Sequence, residues 1–351
     1  MTRTTLWIAA LVALAGTCRV DAADPAAHAA HAAPSVLRPK VVIVTMFGPE
    51  AQAWLDHLGP WRDVRVDGLA PDYPVVHCNR DTVCVITTGM GHANAAASMM
   101  ALAFSRRFDL RQSYFLVAGI AGINPQIGTL GSVAWARYLV DFGIQWEIDA
   151  REIPAGWHDG YLGINTQSAQ DKPALDYRTE LFRLDERLLQ KSYALSHGVA
   201  LADSADAQAA RQKFTEAPAQ LPPAVLQCDT LAGDTWFSGT ALGERASEWM
   251  RLLTDGAGVY CTTQQEDNAT YEALKRAAAA GRVDLARVAV LRAGSDFDRP
   301  HPGQSSADNL LNYQSQGGFG IALDNLYRAG EPLVRAITHD WAAWRHGTPS
   351  D

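Results

Sequence analysis

From Lys40 onward the chain alternates short, apolar, β-branched runs with longer segments of helical periodicity. The runs are VVIVTM from Val41, VCVITT from Val83, YFLVAGIAG from Tyr114, SVAWARYLV from Ser132, AVLQCDTLAG from Ala224, GVYCTTQ from Gly258 and RVAVLRAG from Arg287. Between them the pattern predicts helices over 93–107, 184–202, 241–253 and 268–280. A last helix over 323–338 is expected to break near Gly330 and Pro332. Strand and helix in alternation predict an α/β fold, a single domain of three layers, α/β/α, around a central mixed sheet. No internal repeat and no linker interrupts the pattern, so one domain is expected over 38–345. The stretch 146–218 is polar and irregular outside its one helical segment. It predicts excursions outside the sheet, of the kind that border a site or a subunit interface.

The one long apolar run lies elsewhere, at residues 6–16 (LWIAALVALAG), behind a short segment carrying Arg3 and ahead of small residues at 20–22 (VDA). Its length suits a cleaved signal peptide over 1–22 better than a spanning helix, which needs about 18 or more apolar residues. Cys18 also sits in a sequence like a lipoprotein box, with Thr17 where a smaller residue is expected. Residues 24–34 (DPAAHAAHAAP) make an Ala-rich spacer reaching to 37, and His28 and His31 there are at most a weak metal pair. The expected mature protein is exported, periplasmic or secreted. An oxidising compartment permits disulfides. Cys78 and Cys84 flank a turn between two β-rich segments and are either bonded across a hairpin or two buried thiols.

Charge narrows the partners. Lys and Arg number 30 against 38 Asp and Glu, a net −8, which disfavours a protein that tracks a nucleic-acid backbone. No Cys-x-x-Cys or HExxH spacing is present, so neither a metal nor another cofactor is expected. Ligands of open α/β folds bind at the carboxyl ends of strands, and four such ends are polar. The first leads from Thr45 through Gly48-Pro49 to Glu50. The second is Thr87-Thr-Gly89-Met-Gly91-His92, a glycine turn opening an Ala-rich helix. The third is Gln264-Gln265-Glu266-Asp267-Asn268, and the fourth Ser295-Asp296-Phe297-Asp298-Arg299. Each also has a purely structural reading, as a turn or a capped helix N-terminus.

Taken in order, Glu50, TTGMGHANAA, LVAGIAGINP, GDTWFSG, QQEDNA and RAGSD resemble the nucleoside phosphorylase and nucleosidase superfamily, most closely its hydrolytic branch. The FGPEA start and the RAGSDFDRP end are similar in particular to the purine nucleoside permease family, which shares that fold. The resemblance spans about residues 38–340. It implies that Glu50 activates water, although the Gly-Pro before it departs from the acidic run of the nucleosidases. It implies that Glu266 binds the ribose hydroxyls, with Gln264 and Gln265 replacing the usual Glu-Met pair. Asp296, preceded by Ser295, would donate a proton to the purine, which requires a raised pKa and hence burial near Phe297. Trp236, followed by Phe237, would stack on the base, where its alternative is an ordinary core aromatic. Gly89, Gly91 and His92 of the second strand end, with Ala121 and Gly122 of the third, complete the implied substrate-binding set.

The resemblance also frames the reaction. Purine phosphorylases place an Arg just before the Gly of the third strand, where this chain has Val117 and Ala118. The helix after Glu50, AQAWLDHLG, has no Arg or Lys either. His92, Arg292 and Arg299 remain as substitutes, though Arg292 lies within an apolar strand and has the alternative of pairing with an acid. Hydrolysis of purine nucleosides is therefore expected ahead of phosphorolysis. The competing readings are a non-catalytic nucleoside-binding protein that assists transport and a Ser or Cys hydrolase, the latter without a G-x-S-x-G. A homo-oligomer is implied by the fold family.

Overall fold

The computed structural model describes residues 36–350. The signal peptide, Cys18, His28, His31 and the spacer as far as 35 lie outside the described residues.

The first run folds as β1, Val41–Thr45, with all five residues buried, as a strand covered on both faces must be. It lies parallel between β4 (Val83–Thr87) and β5 (Tyr114–Ile123), once the hairpin β2 (Trp61–Arg65) and β3 (Val75–Asn79) has closed one edge of the sheet. The run SVAWARYLV divides into β6 (Val133–Trp135) and β7 (Tyr138–Asp141), and β8 (Trp146–Glu147) pairs with β9 (Tyr161–Leu162) as a separate ribbon. Next come β10 (Leu181–Arg183), β11 (Val225–Gln227), β12 (Asp229–Ala232), β13 (Tyr260–Gln264) and the ten-residue β14 (Val288–Phe297). The main order is β10-β7-β12-β13-β5-β1-β4-β3-β2, with β14 parallel to β5 and joined to β6, which also holds β11. Parallel and antiparallel pairs occur together, so the sheet is mixed, as expected.

Helices cover both faces. On one side α2 (His92–Phe104) and α7 (Asp267–Ala279) pack Met99, Leu102 and Leu274 against Val42, Val44 and Ile86. On the other, α1 (Gly48–Leu58), α3 (Glu186–Ser196) and α9 (Gly318–His339) pack Trp54, Leu188 and Leu326 against Val41, Ile43 and Leu116. The helix α6 (Thr240–Leu253) covers the β7–β12–β13 end with Trp249 and Leu253. Short α4 (Ala205–Arg211), α5 (Ala217–Gln220), α8 (Ser306–Leu311) and α10 (Trp341–Trp344) complete the set.

One expectation is corrected. The last helix is not broken: α9 runs unbroken through Gly330 and Pro332. Its buried stripe of Ala329, Leu333, Val334 and Ile337 continues past the proline, and that burial outweighs the roughly 3 kcal/mol a helix-interior Pro costs. Gly330 contributes contact, since a Cβ there would come within 2.6 Å of Trp54. The stretch 146–218 makes the expected excursion in the β8–β9 ribbon and returns to the sheet where β10 pairs antiparallel with β7, while α3 packs on the core. Cys78 and Cys84 are directly opposed across the β3–β4 pair and form a disulfide, and Cys228 and Cys261 form a second.

Candidate functional site

The carboxyl ends of β1 and β4, the β13–α7 junction and the far part of β14 converge on a cavity of about 390 Å³. Glu50 enters from the first turn of α1, whose helix can start there because Pro49 at its second position needs no N–H partner. Its carboxylate accepts hydrogen bonds from Met46 N–H and Ile120 N–H, both at 2.7 Å. Gly119 makes this possible: a Cβ there would lie 2.7 Å from Glu50 Oε1 and 2.5 Å from Arg292 Nη1. Burial pushes the Glu50 carboxyl up to about 8, with neighbouring Glu266 adding to the rise, against the pull of Arg292 and the two backbone donors.

Glu266 stands at the N-cap of α7. Its Oε1 accepts from Gly91 N–H at 3.1 Å, and its Oε2 from Gln265 N–H at 3.2 Å and from Arg292 at 3.3 Å. Arg292 is the hub. It donates to both oxygens of Asp267, at 2.6 and 3.2 Å, and to Ile120 O at 3.1 Å. Burial works against its charge, yet Asp267, Glu266 and Glu50 around it hold it firmly protonated. Gln264 fixes the turn from below: its Oε1 accepts from the N–H groups of Glu266 and Asp267, at 2.7 and 3.0 Å. Its amide donates to Thr230 Oγ1 at 3.1 Å.

Asp296 reaches the cavity from β14. The β14–β5 register shifts between Gly294 and Asp296, so Ser295 is the extra residue of a bulge that re-aims the side chains beside it. The Ser295 hydroxyl lies 2.6 Å from Asp296 Oδ1 and 3.2 Å from Ala121 O. Burial pushes Asp296 up to about 7, opposed by the Ser295 hydroxyl and helped by the charge on Asp298. The required burial of Asp296 beside Phe297 is thus present, with Phe297 itself enclosed.

Of the residues singled out from the sequence, Glu50, Trp236, Gln265, Glu266, Ser295 and Asp296 line one cavity. Gly91 joins them through its backbone donor, Ala121 through its carbonyl, and Gly122 by leaving the space that a Cβ would occupy 3.5 Å from Trp236. Gly89 forms only the turn, with φ +83. Two residues are placed elsewhere. Phe237 points away from Trp236 into an apolar cluster with Val140, Leu231 and Trp249, as neighbours along an extended loop do. His92 faces a separate cleft with Asp141, on the far side of the Gly91 turn. From the sequence, Gln264 is read only as part of a replaced Glu-Met pair and Asp267 only as part of the polar run after β13, while Gly119 and the apolar walls Phe47 and Phe319, whose rings lie 6.3 Å apart, have no site role. Phe319 follows Gly317-Gly318, and Gly318 lets α9 begin against the Ser295 carbonyl, where a Cβ would come too close. That glycine pair was the available signal.

The family model described as purine nucleoside permease matches residues 38–349. The chain belongs to the purine nucleoside permease family. Among its relatives in that family, a probable purine nucleoside permease of Schizosaccharomyces pombe is 42% identical over 322 residues, covering 88% of this chain and 92% of the relative. A purine nucleoside permease of Candida albicans is 37% identical over 321 residues, covering 90% and 79%. Solved structures share the fold at low identity. The 5'-methylthioadenosine/S-adenosylhomocysteine nucleosidase of Helicobacter pylori has a TM-score of 0.51 at 12% identity, covering 87% of this chain and 99% of that one. The Neisseria meningitidis nucleosidase, in complex with methylthio-immucillin-A, has a TM-score of 0.50 at 13% identity, covering 84% and 98%. Permease-family membership and a nucleosidase-like fold therefore meet in one chain. Among the described residues no helix is long and apolar enough to cross a membrane.

Proposed function

We propose that the protein binds purine nucleosides in this cavity and hydrolyses their N-glycosidic bond, releasing purine base and ribose. The observation that carries the reading is the convergence of three buried carboxyl groups, Glu50, Glu266 and Asp296, beside the half-buried ring of Trp236. Breaking the bond from C1′ to the base leaves positive charge on the ribose and negative charge on the purine. Carboxylates near the sugar and a proton donor at the base both lower that barrier. In this scheme Trp236 stacks on the base, Glu266 accepts from the ribose hydroxyls, and Asp296 gives its proton to a purine ring nitrogen as the bond breaks. Glu50 takes a proton from water, whose oxygen bonds to C1′.

The arginines favour water over phosphate as the nucleophile. Arg292 is the only Arg, Lys or His among the described lining residues, and its donors are engaged by Asp267, Glu266 and Ile120 O. Arg299 is closed on Asp298. A dianion entering beside three acids would find no free cation to hold it. The names of the relatives favour a second reading, a nucleoside-binding protein that serves transport without turnover.

Incubation with inosine, guanosine and adenosine, with and without phosphate, separates these. Free base without phosphate is the expected result. Base released only with phosphate means phosphorolysis, and binding without release would leave the transport reading standing alone. We place the activity outside the cytoplasm, on the signal-like run at 6–16, and the two disulfides support an oxidising compartment. N-terminal sequencing of the protein recovered from a secreting host should begin after Ala22.

A further inference from the structure

A closed circuit of hydrogen bonds surrounds the turn Met90–His92. Gly91 N–H donates to Glu266 Oε1 at 3.1 Å, and the next amide, His92 N–H, donates to Asp234 Oδ1 at 2.8 Å. From the other side the Gln265 amide donates to the Asp234 main-chain oxygen at 2.7 Å, while Gln265 N–H donates to Glu266 Oε2 at 3.2 Å. Asp234 is thus gripped by the first turn of α2 and by the end of β13, two residues before Trp236. Gly91 has φ +88, and a Cβ there would come within 3.2 Å of Asp234 Oδ1, so the turn must be glycine for the grip to close.

We propose that Asp234 is a positioning residue: it ties the loop carrying Trp236 to the same turn whose adjacent amide holds Glu266. The base-stacking ring and the ribose-binding carboxylate then keep a fixed relation before a ligand arrives, which lowers the ordering cost of binding. This rests on the nucleoside-binding reading and adds to it a residue that touches no ligand. The side chain of Asp234 is 61% exposed, so truncating it opens no core cavity. His92 Nδ1 lies 3.9 Å from Asp234 Oδ2, a weaker contact than the 2.8 Å backbone bond. The acceptor oxygen therefore matters more than the charge.

The test is calorimetric binding of inosine to the full chain with Asp234→Ala, Asp234→Asn, Trp236→Ala and the Asp234→Ala/Trp236→Ala double variant, with thermal unfolding alongside. Asp234→Ala should weaken affinity roughly five- to tenfold while lowering the melting temperature by no more than a few degrees, the cost of one lost capping acceptor. Asp234→Asn keeps the Oδ1 acceptor and should bind within about twofold of the parent. In the Trp236→Ala background the Asp234→Ala effect should vanish, since the residue acts through that ring. Parent-like affinity in Asp234→Ala overturns the proposal, as does an Asn variant no better than Ala, or an undiminished effect without Trp236. A parent protein that binds no purine nucleoside refutes the functional reading itself, which sets that failure apart from the others.

Discussion

Strand β14 carries one buried arginine within it and another just past its end, and the two are spent in opposite ways. Arg299 is closed: its Nε and Nη2 donate to both oxygens of Asp298, Tyr260 donates its hydroxyl to the same carboxylate at 2.8 Å, and the guanidinium occupies the space a Cβ on Gly243 would need. One positive charge meets one negative, both buried. Arg292 is one positive charge among Asp267, Glu266 and Glu50, and the last two face the cavity. The same ingredients, equally buried, give a fastening in one place and unspent negative charge in the other. In the proposed hydrolysis, that surplus is what the ribose hydroxyls and a developing ribosyl cation would use.

Exchanging the two aspartates on that strand end is the strongest way to break the contrast. Asp296→Asn should lower turnover by about 10²–10⁴, the usual worth of a positioned acid, while nucleoside affinity holds within a few-fold. Asp298→Asn leaves Arg299 buried without its counter-charge and should cost about 3–5 kcal/mol in urea unfolding, yet leave turnover within tenfold of the parent in the folded fraction, because it loosens a fastening. Similar turnover losses in both would make the cavity and the fastening one structural unit. The arginines come next. Arg292→Met and Arg299→Met each strand buried acid and should each cost about 3–5 kcal/mol. Only Arg292→Met should also lose inosine binding in the fraction that remains folded. Below these, Glu266→Gln should weaken inosine about tenfold, and an unaltered affinity would remove Glu266 from the ribose.

How far the sequence reaches differs between the same two places. Alternation of apolar runs and helical segments was enough for the mixed sheet, its helical layers and the strand ends that meet, because burial periodicity is local. That Glu50, Glu266 and Asp296 meet in one cavity was legible through motif order. Arg292 was half legible: an arginine in an apolar strand needs an acid, but which acid depends on how the β13–α7 junction lies against β14. The bulge at Ser295 was not legible, since a one-residue register shift depends on the partner strand. His92 and Phe237 were misplaced for a related reason. In a turn or loop, adjacent residues face opposite ways, and a motif string does not say which one turns inward.

The gentlest test sharpens the contrast through pH. Hydrolysis as proposed needs Glu50 ionised and Asp296 protonated, yet burial puts Glu50 at about 8 and Asp296 at about 7. As pH rises through 7 the acid is lost, and as pH falls through 8 the base is lost, so kcat/KM should be bell-shaped with its maximum near pH 7.5. Because the acid titrates below the base, only a minor fraction of the protein holds both groups in the working state at any pH, and the bell should be shallow. Asp298 enters this profile only through its charge, which helps raise Asp296, so Asp298→Asn should shift the acid-loss limb downward. A maximum below pH 6 would contradict a base whose carboxyl is raised by burial, and Glu50→Gln with an unchanged pH profile would remove this group as the base.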